Sequence, residues 1–290
     1  MSLQNQHSST HSHFDYLLIG HVTQDLTPDG PLLGGTVSYS ARMAAALGLK
    51  VGIITSAPPT LDLSPLATFP ILRIPSKNAT TFENIQTPQG RIQYLYHRAE
   101  IIKSEHIPSE WRKADIVHLG PVANEIDPNL VDIFPNAFIG ITAQGFLRKT
   151  DDFKKVQFSS WSEAPYMLAH CNAAIISIED VKNQDERIQE LTKYAKILVV
   201  TEGEDGARVY WNGDVRHFSA PKMDVVDLTG AGDIFAAVYF ARLHATNDAW
   251  LACAQAVRLA SLSVTRSGVE GIPTESEIQS ALSEIMSGRQ

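Results

Sequence analysis

Short apolar runs separated by longer amphipathic stretches set the hydrophobic pattern of this chain. Tyr16 to Gly20, Val51 to Thr55, Asp115 to Leu119, Ala137 to Thr142, Ala173 to Ser177 and Ile197 to Thr201 are rich in aliphatic and β-branched residues and end at turn-forming positions. That pattern predicts buried strands. Between them, Thr36 to Leu47 reads as a helix of small residues stopped by Gly48, and Gln184 to Ala195 reads as another. The C-terminal stretch Ile234 to Met286 is mainly helical and opens on the apolar run Ile234 to Leu243. Strands alternating with helices predict an α/β fold: a mostly parallel sheet with helices on both faces.

Two regions break the alternation. Thr80 to His97 holds two strand-like runs around Pro88-Gln89-Gly90, which predicts a hairpin projecting as a lid over a site. Its residues Asn84, Arg91, Gln93 and Tyr94 could face a ligand there or simply face solvent. Ala207 to Trp211 and Val215 to Phe218 flank Asn212-Gly213-Asp214, a second hairpin. With no internal repeat and no low-complexity linker, residues 14–290 read as one domain. The polar stretch 1–13, with His7, His11 and His13, reads as a disordered tail without the apolar core of a secretion signal.

Composition narrows the partners. Of the 290 residues, 44% are hydrophobic and 19% charged, enough for an ordinary globular core. The net charge of -8 and the lack of a basic block argue against nucleic acid and anionic membrane surfaces. No apolar run approaches the ~20 residues of a membrane span. Cys171 and Cys253 lack metal-ligand spacing and suit buried thiols in a reducing cytoplasm.

The chemistry concentrates in Asp227-Leu228-Thr229-Gly230-Ala231-Gly232-Asp233-Ile234-Phe235. Small residues at the mouth of a helix can turn main-chain N–H groups toward one space, and the helix end adds partial positive charge to it. Asp233, at the helix start, can take a proton from a hydroxyl. An anion cradle beside a base is what phosphoryl transfer to an alcohol needs. A P-loop is excluded, because no G-x-x-x-x-G-K sequence occurs. A dinucleotide fingerprint is disfavoured, because Phe235 stands where its third glycine belongs.

The Asp227–Phe235 run resembles the D-x-T-G-A-G-D-x-F signature of the ribokinase-like (PfkB) carbohydrate and nucleoside kinases, and four further segments follow that family's order. The resemblance implies a three-layer ribokinase-like fold with a small β lid. It also implies Asp233 as base, with the amides of Gly230, Ala231 and Gly232 as the anion hole. Gly34-Gly35 before the Thr36 helix and Asp25 after the strand-end Gly20 resemble the substrate-binding segments; Tyr39 stands where the family often has Asn. About eight residues separate Asp25 from Gly34, so the lid is expected to be reduced and to rely on the 80–97 hairpin.

Thr201, Gly203 and Gly206 resemble the turn along the nucleotide. Thr229 shapes the anion-hole loop, and Gly268 lies in a stretch similar to the loop beside the adenine and cation sites. Asp180, with Ser177, stands in for the family's magnesium-organising acid, and Asp227 lies where a monovalent cation is often bound. Glu179 competes with Asp180, and a helix cap accounts for Ser177 equally well. Gln144-Gly145-Phe146-Leu147-Arg148 follows a strand end and is a weaker candidate for the site, whereas His118 reads as a satisfied core histidine.

The implied activity is ATP-dependent phosphorylation of a hydroxyl on a sugar or small polyol, with Mg2+ and also K+ as ions. A nucleoside kinase, or a non-catalytic relative that binds nucleotide or sugar, are the alternatives. A cytoplasmic monomer or homodimer is expected.

Overall fold

The computed structural model describes residues 13–87 and 90–287. The expected tail, apart from His13, and the Pro88-Gln89 turn lie outside the described residues, as does the Arg91 side chain.

In chain order the elements are β1 (Phe14–Ile19), β2 (Thr23–Leu26), β3 (Leu32–Gly34), α1 (Thr36–Ala46), β4 (Val51–Ala57), β5 (Ile71–Pro75), β6 (Thr80–Thr87) and β7 (Gly90–His97). They continue with β8 (Ala114–Leu119), β9 (Phe138–Thr142), β10 (Arg148–Thr150), β11 (Val156–Phe158), α2 (Ala164–His170), β12 (Ala173–Ser177) and α3 (Asp185–Thr192). The last are β13 (Ile197–Thr201), β14 (Ala207–Trp211), β15 (Asp214–Phe218), α4 (Ala231–Thr246), α5 (Ala249–Ser263) and α6 (Glu275–Ser287).

Nine strands form the main sheet in the order β15-β14-β13-β12-β9-β8-β1-β4-β5. From β13 to β5 they run parallel, and β14 and β15 add an antiparallel edge. The apolar runs are continuous because both faces are covered. Tyr16 and Leu18 enter one core layer, shared with α1, α4 and α5, while Phe14, Leu17 and Ile19 enter the other, shared with α2 and α3. Along β13 the same split places Ile197 and Val199 in the first layer and Leu198 and Val200 in the second.

His118 is fully buried, between the Tyr16 hydroxyl and Thr142 Oγ1 at 3.1 Å each, and burial lowers its pKa to about 3. It is a neutral core histidine, as its strand position suggests. Cys171 and Cys253 are both buried and free.

Gly140 on β9 lets α4 lie close on the sheet. A Cβ there would sit 2.7 Å from the Phe240 ring. We expect Gly140→Ala to destabilise the chain by about 1–3 kcal/mol through overpacking, read as a lower urea midpoint at unchanged slope.

The lid differs from expectation in one respect. The interval after Asp25 is itself a strand pair. β2 and β3 are antiparallel, β2 lies parallel to β6, and β6 pairs with β7, giving a four-stranded sheet in the order β3-β2-β6-β7. Strands of three or four residues are too short to show a hydrophobic period; backbone pairing holds them, β2 along β6 and β3 along β2. A further hairpin, β10–β11, docks on the outer lid strand, where Leu95 N–H donates to Lys154 O at 2.9 Å. Among the described residues no helix is long and apolar enough to cross a membrane.

Candidate active site

The strands β1, β8, β9, β12 and β13 point their carboxyl ends at one edge of the main sheet. The winding reverses at β1, between β4 and β8. Such a switch point leaves a crevice outside the strand ends, where α/β sheets bind ligands.

Over this crevice sits the amino end of α4. Its N-cap, Gly230, has φ +81°, and a Cβ on it would lie 2.3 Å from the Tyr39 ring, so only glycine fits. The first ladder bond runs from Ile234 N–H to Gly230 O at 2.8 Å. Ala231 N–H reaches Leu228 O at a long 3.3 Å, and among the described residues no carbonyl takes the N–H groups of Gly232 or Asp233. These are the orphan donors that a helix start presents, on a helix of 16 residues with its dipole behind them.

Asp227 clamps the loop before them. Its Oδ1 accepts from Thr229 N–H at 2.9 Å and its Oδ2 from Gly268 N–H at 2.8 Å, with Ser267 Oγ at 3.5 Å. Burial alone would raise this carboxyl, but these donors hold it below its ordinary value. Arg266 forks onto Glu277 of α6 at 3.1 and 3.0 Å and fixes the far side of the same loop.

Asp233 itself carries the second of the open amides. It keeps some exposed surface, yet its carboxyl is enclosed by protein, and that burial pushes its pKa up to about 6. The Thr36 hydroxyl and the charge of Arg148 favour its ionised form, and Asp25 opposes it. Its main chain is tied to α1 by Ser40 Oγ, which donates to Asp233 O at 2.8 Å.

On the acceptor side, Asp25 leaves β2 with its Oδ1 accepting from Thr23 Oγ1 at 2.9 Å. Gly34 faces it across the strand pair; a Cβ there would come within 2.3 Å of Asp25 Oδ2. Gly35, at φ +88°, starts α1. Tyr39, on the first turns of α1, is buried against Gly230. Its phenol stays protonated because of burial and the surrounding carboxylates of Asp227, Asp233 and Asp25. The structure therefore brings Asp25, Gly34, Tyr39, Gly230 and Asp233 to one place.

The opposite side is lined by strand ends. Arg148 opens β10, with its guanidinium 4.0 Å from Asp180 Oδ1 and donating to Val122 O at 3.4 Å. Asp180, only 8% exposed, also accepts Ser177 N–H at 2.9 Å. Ser177 Oγ accepts Glu179 N–H at 3.2 Å, but the expected helix cap is not formed: residues 178–183 are a turn and α3 begins only at Asp185, so Ser177 and Asp180 brace a turn instead. Thr201 donates to Ile176 O at 3.4 Å. Gly206 has φ +103°, and a Cβ there would lie 2.0 Å from Phe218 O; Gly203 stands in open space. Val225, Val226, Leu228 and Val269 stay exposed along the Asp227 clamp.

One group of His, Cys, Asp or Glu side chains with metal-ion spacing occurs among the described residues. It comprises His13, Asp15 and Asp115, at the amino end of the strands and away from this crevice. Arg148, the last residue of the weaker candidate segment 144–148, does lie at the site, whereas Thr36 escaped sequence reasoning. Thr36 reads as an ordinary first residue of a helix, and only the packing of α1 against α4 aims its hydroxyl at Asp233.

The profile of the pfkB family carbohydrate kinases matches residues 158–275. Fructokinase of Escherichia coli is 28% identical over 152 residues, which are 47% of this chain and 48% of the fructokinase. The chain thus spans about half the length of that relative. A pyrophosphate-dependent kinase of the ribokinase family, solved with a pyrophosphate analogue and myo-inositol, superposes with a TM-score of 0.76 at 20% identity, covering 91% of this chain and 99% of that one. Ribokinase of Arabidopsis thaliana, solved with ribose and ATP, gives 0.70 at 16% identity, covering 93% and 99%. The fold is the ribokinase-like α/β fold with a β lid.

Proposed function

Because this chain belongs to the ribokinase-like PfkB family, we propose that it transfers the γ-phosphoryl group of ATP to a hydroxyl of a neutral sugar or small polyol. The observation that carries this reading is the enclosed Asp233 carboxyl, held near pKa 6 beside the open N–H groups of α4. A base poised near working pH, next to donors with no protein partner, suits proton removal from an alcohol and stabilisation of the charge that develops on phosphate. Among the relatives, the names fructokinase and ribokinase and the bound myo-inositol agree with a polyhydroxylated acceptor.

The acceptor lies between Asp25, the Gly34-Gly35 turn and Tyr39. Three carboxylates surround that space, so an anionic acceptor is repelled and a neutral one favoured. Asp25 accepts from its hydroxyls, and Asp233 takes the proton of the attacking one. Gly230, Ala231, Gly232 and Asp233 face the transferred group with their amides, and Arg148 adds a fixed positive charge. Thr201, Gly203 and Gly206 line the path of the nucleotide. Thr229 and Gly268, joined through Asp227, hold the loop in place, and the exposed valines give an apolar wall for the base.

Hard oxygen donors suit magnesium. Asp180 and Ser177 offer such atoms at the phosphate side and would hold the ion through water, where it supplies charge neutralisation. Asp227 has both carboxylate oxygens engaged by hydrogen-bond donors, so its role is that of a loop clamp, and K+ dependence is tested by exchanging K+ for Na+.

The deciding experiment is product formation across hexoses, pentoses, inositols and nucleosides, each with ATP and with pyrophosphate. Turnover of a neutral sugar or polyol with ATP is expected. Turnover of nucleosides alone replaces the acceptor, and binding without turnover across the panel rejects the activity.

A further inference from the structure

Four chain crossings join the main sheet to the lid: β1 to β2, β3 to α1, β5 to β6, and the exit from β7. All four meet at His21, a fully buried histidine outside the site described above.

His21 Nε2 lies 2.9 Å from Glu100 O, past the end of β7. Burial lowers the pKa of His21 and keeps the ring neutral, despite the nearby Glu125 carboxylate; a carbonyl only accepts, so Nε2 carries the single proton and Nδ1 is a bare acceptor. Thr80 Oγ1, at the first residue of β6, lies 2.6 Å from Nδ1 and donates to it. The same oxygen accepts Ala99 N–H at 2.9 Å. Ser76 Oγ, before β6, accepts Glu100 N–H at 3.2 Å and ties the third and fourth crossings again. The main chain of His21 is anchored from below: its N–H donates at 3.1 Å to Glu125, a fully buried acid that also accepts the N–H groups of Val122 and Ala123. Gly35 closes the set, since a Cβ on it would stand 2.5 Å from His21 O.

We infer that His21 and Thr80 are positioning residues that lock the lid to the main sheet and so hold Asp25 over Asp233. The inference rests on the phosphotransfer reading for its kinetic consequence only. Glu125 Oε1 stands 4.0 Å from Nδ1, too far for a hydrogen bond, and among the described residues Thr80 Oγ1 is the hydrogen-bond partner of both Nδ1 and Ala99 N–H, so a lost hydroxyl leaves an imidazole nitrogen and a main-chain N–H buried without a mate. The lid then detaches at its root while the anion hole, carried by α4, stays in place.

The test is Thr80→Val against Thr80→Ser. The valine has the same shape and no hydroxyl; the serine keeps the hydroxyl. Thr80→Val is expected to raise KM for the acceptor about tenfold, the worth of one buried hydrogen bond, with KM for ATP unchanged and Thr80→Ser close to wild type. In the protein without ligand, amides of β2, β6 and β7 should exchange about tenfold faster in Thr80→Val, and those of β1, β8 and β9 at the wild-type rate. Should Thr80→Val not fold, Thr80→Cys, which keeps a weak donor, carries the same comparison. An unchanged acceptor KM, equal acceleration in both sheets, or a serine variant as impaired as the valine one would overturn the inference. If the wild-type chain phosphorylates nothing in the panel, the activity reading fails, and the exchange comparison still decides the hinge.

Discussion

Exchanging Asp233 for Asn is expected to cut kcat for acceptor phosphorylation by about 10²–10⁴-fold, the range for a lost general base, while ATP still binds. The amide has nearly the shape of the carboxyl and leaves the α4 N–H groups where they are, so the loss isolates proton removal from positioning. The pH profile gives the matching signature. Wild-type kcat/KM should rise through pH about 6 as Asp233 ionises and level above it, and this limb should vanish in the variant. Stability moves the other way. The folded carboxyl titrates above its ordinary value of 3.8, so its contribution to folding is fully present below that value and is lost as pH rises through about 6. At pH 8 the wild-type protein bears the full cost of an enclosed ionised carboxylate, and Asp233→Asn should melt at a higher temperature. A variant with wild-type turnover, or one that keeps the acid limb, would remove Asp233 from the base role.

The second large effect is expected at Arg148. Its guanidinium faces Asp180 and lies within the electrostatic reach of Asp233, in a position only 14% exposed. A charge held there before the reaction begins costs no reorganisation as negative charge builds on the moving phosphoryl group. Arg148→Ala should lower kcat by about 10²–10³-fold, comparable to the loss of one preorganised donor. Arg148→Lys should recover part of this, because a point charge replaces the planar fork. A second readout separates electrostatics from packing. Arg148 favours the ionised form of Asp233, so its removal should move the acid limb of the pH profile upward. Unchanged kcat together with an unmoved limb would exclude Arg148 from the transfer step.

Much of the frame was readable from the residues because burial on both faces forces continuous apolar runs. β12 and β13 have the limits that their aliphatic content and flanking turns indicate, and the hairpins at Thr80–His97 and Ala207–Phe218 both form. β5 was not foreseen, since Ile71–Pro75 sits between prolines on a sheet edge, nor were the three-residue β10 and β11. Such pieces are stabilised by a neighbour's backbone and leave no period of their own. At the site, the small residues of Asp227–Phe235 were legible because few chemistries need that backbone. Thr36 and the His21–Thr80–Glu125 set were not, and Arg148 was legible only as the end of a weaker candidate segment, since each acts through contacts between segments far apart in the chain. The clamp role of Asp227 also depends on such a contact, 41 residues away at Gly268.

The docking of β10–β11 on β7 bears on how such a protein can be re-engineered. Arg148 stands at the root of that hairpin, and Lys154 near its tip holds the outer lid strand. A lid transplanted from a relative to alter acceptor choice would therefore arrive without the seat its last strand rests on. Residues 148–158 need to travel with the graft as one cassette, or the new lid and the old Arg148 will be out of step.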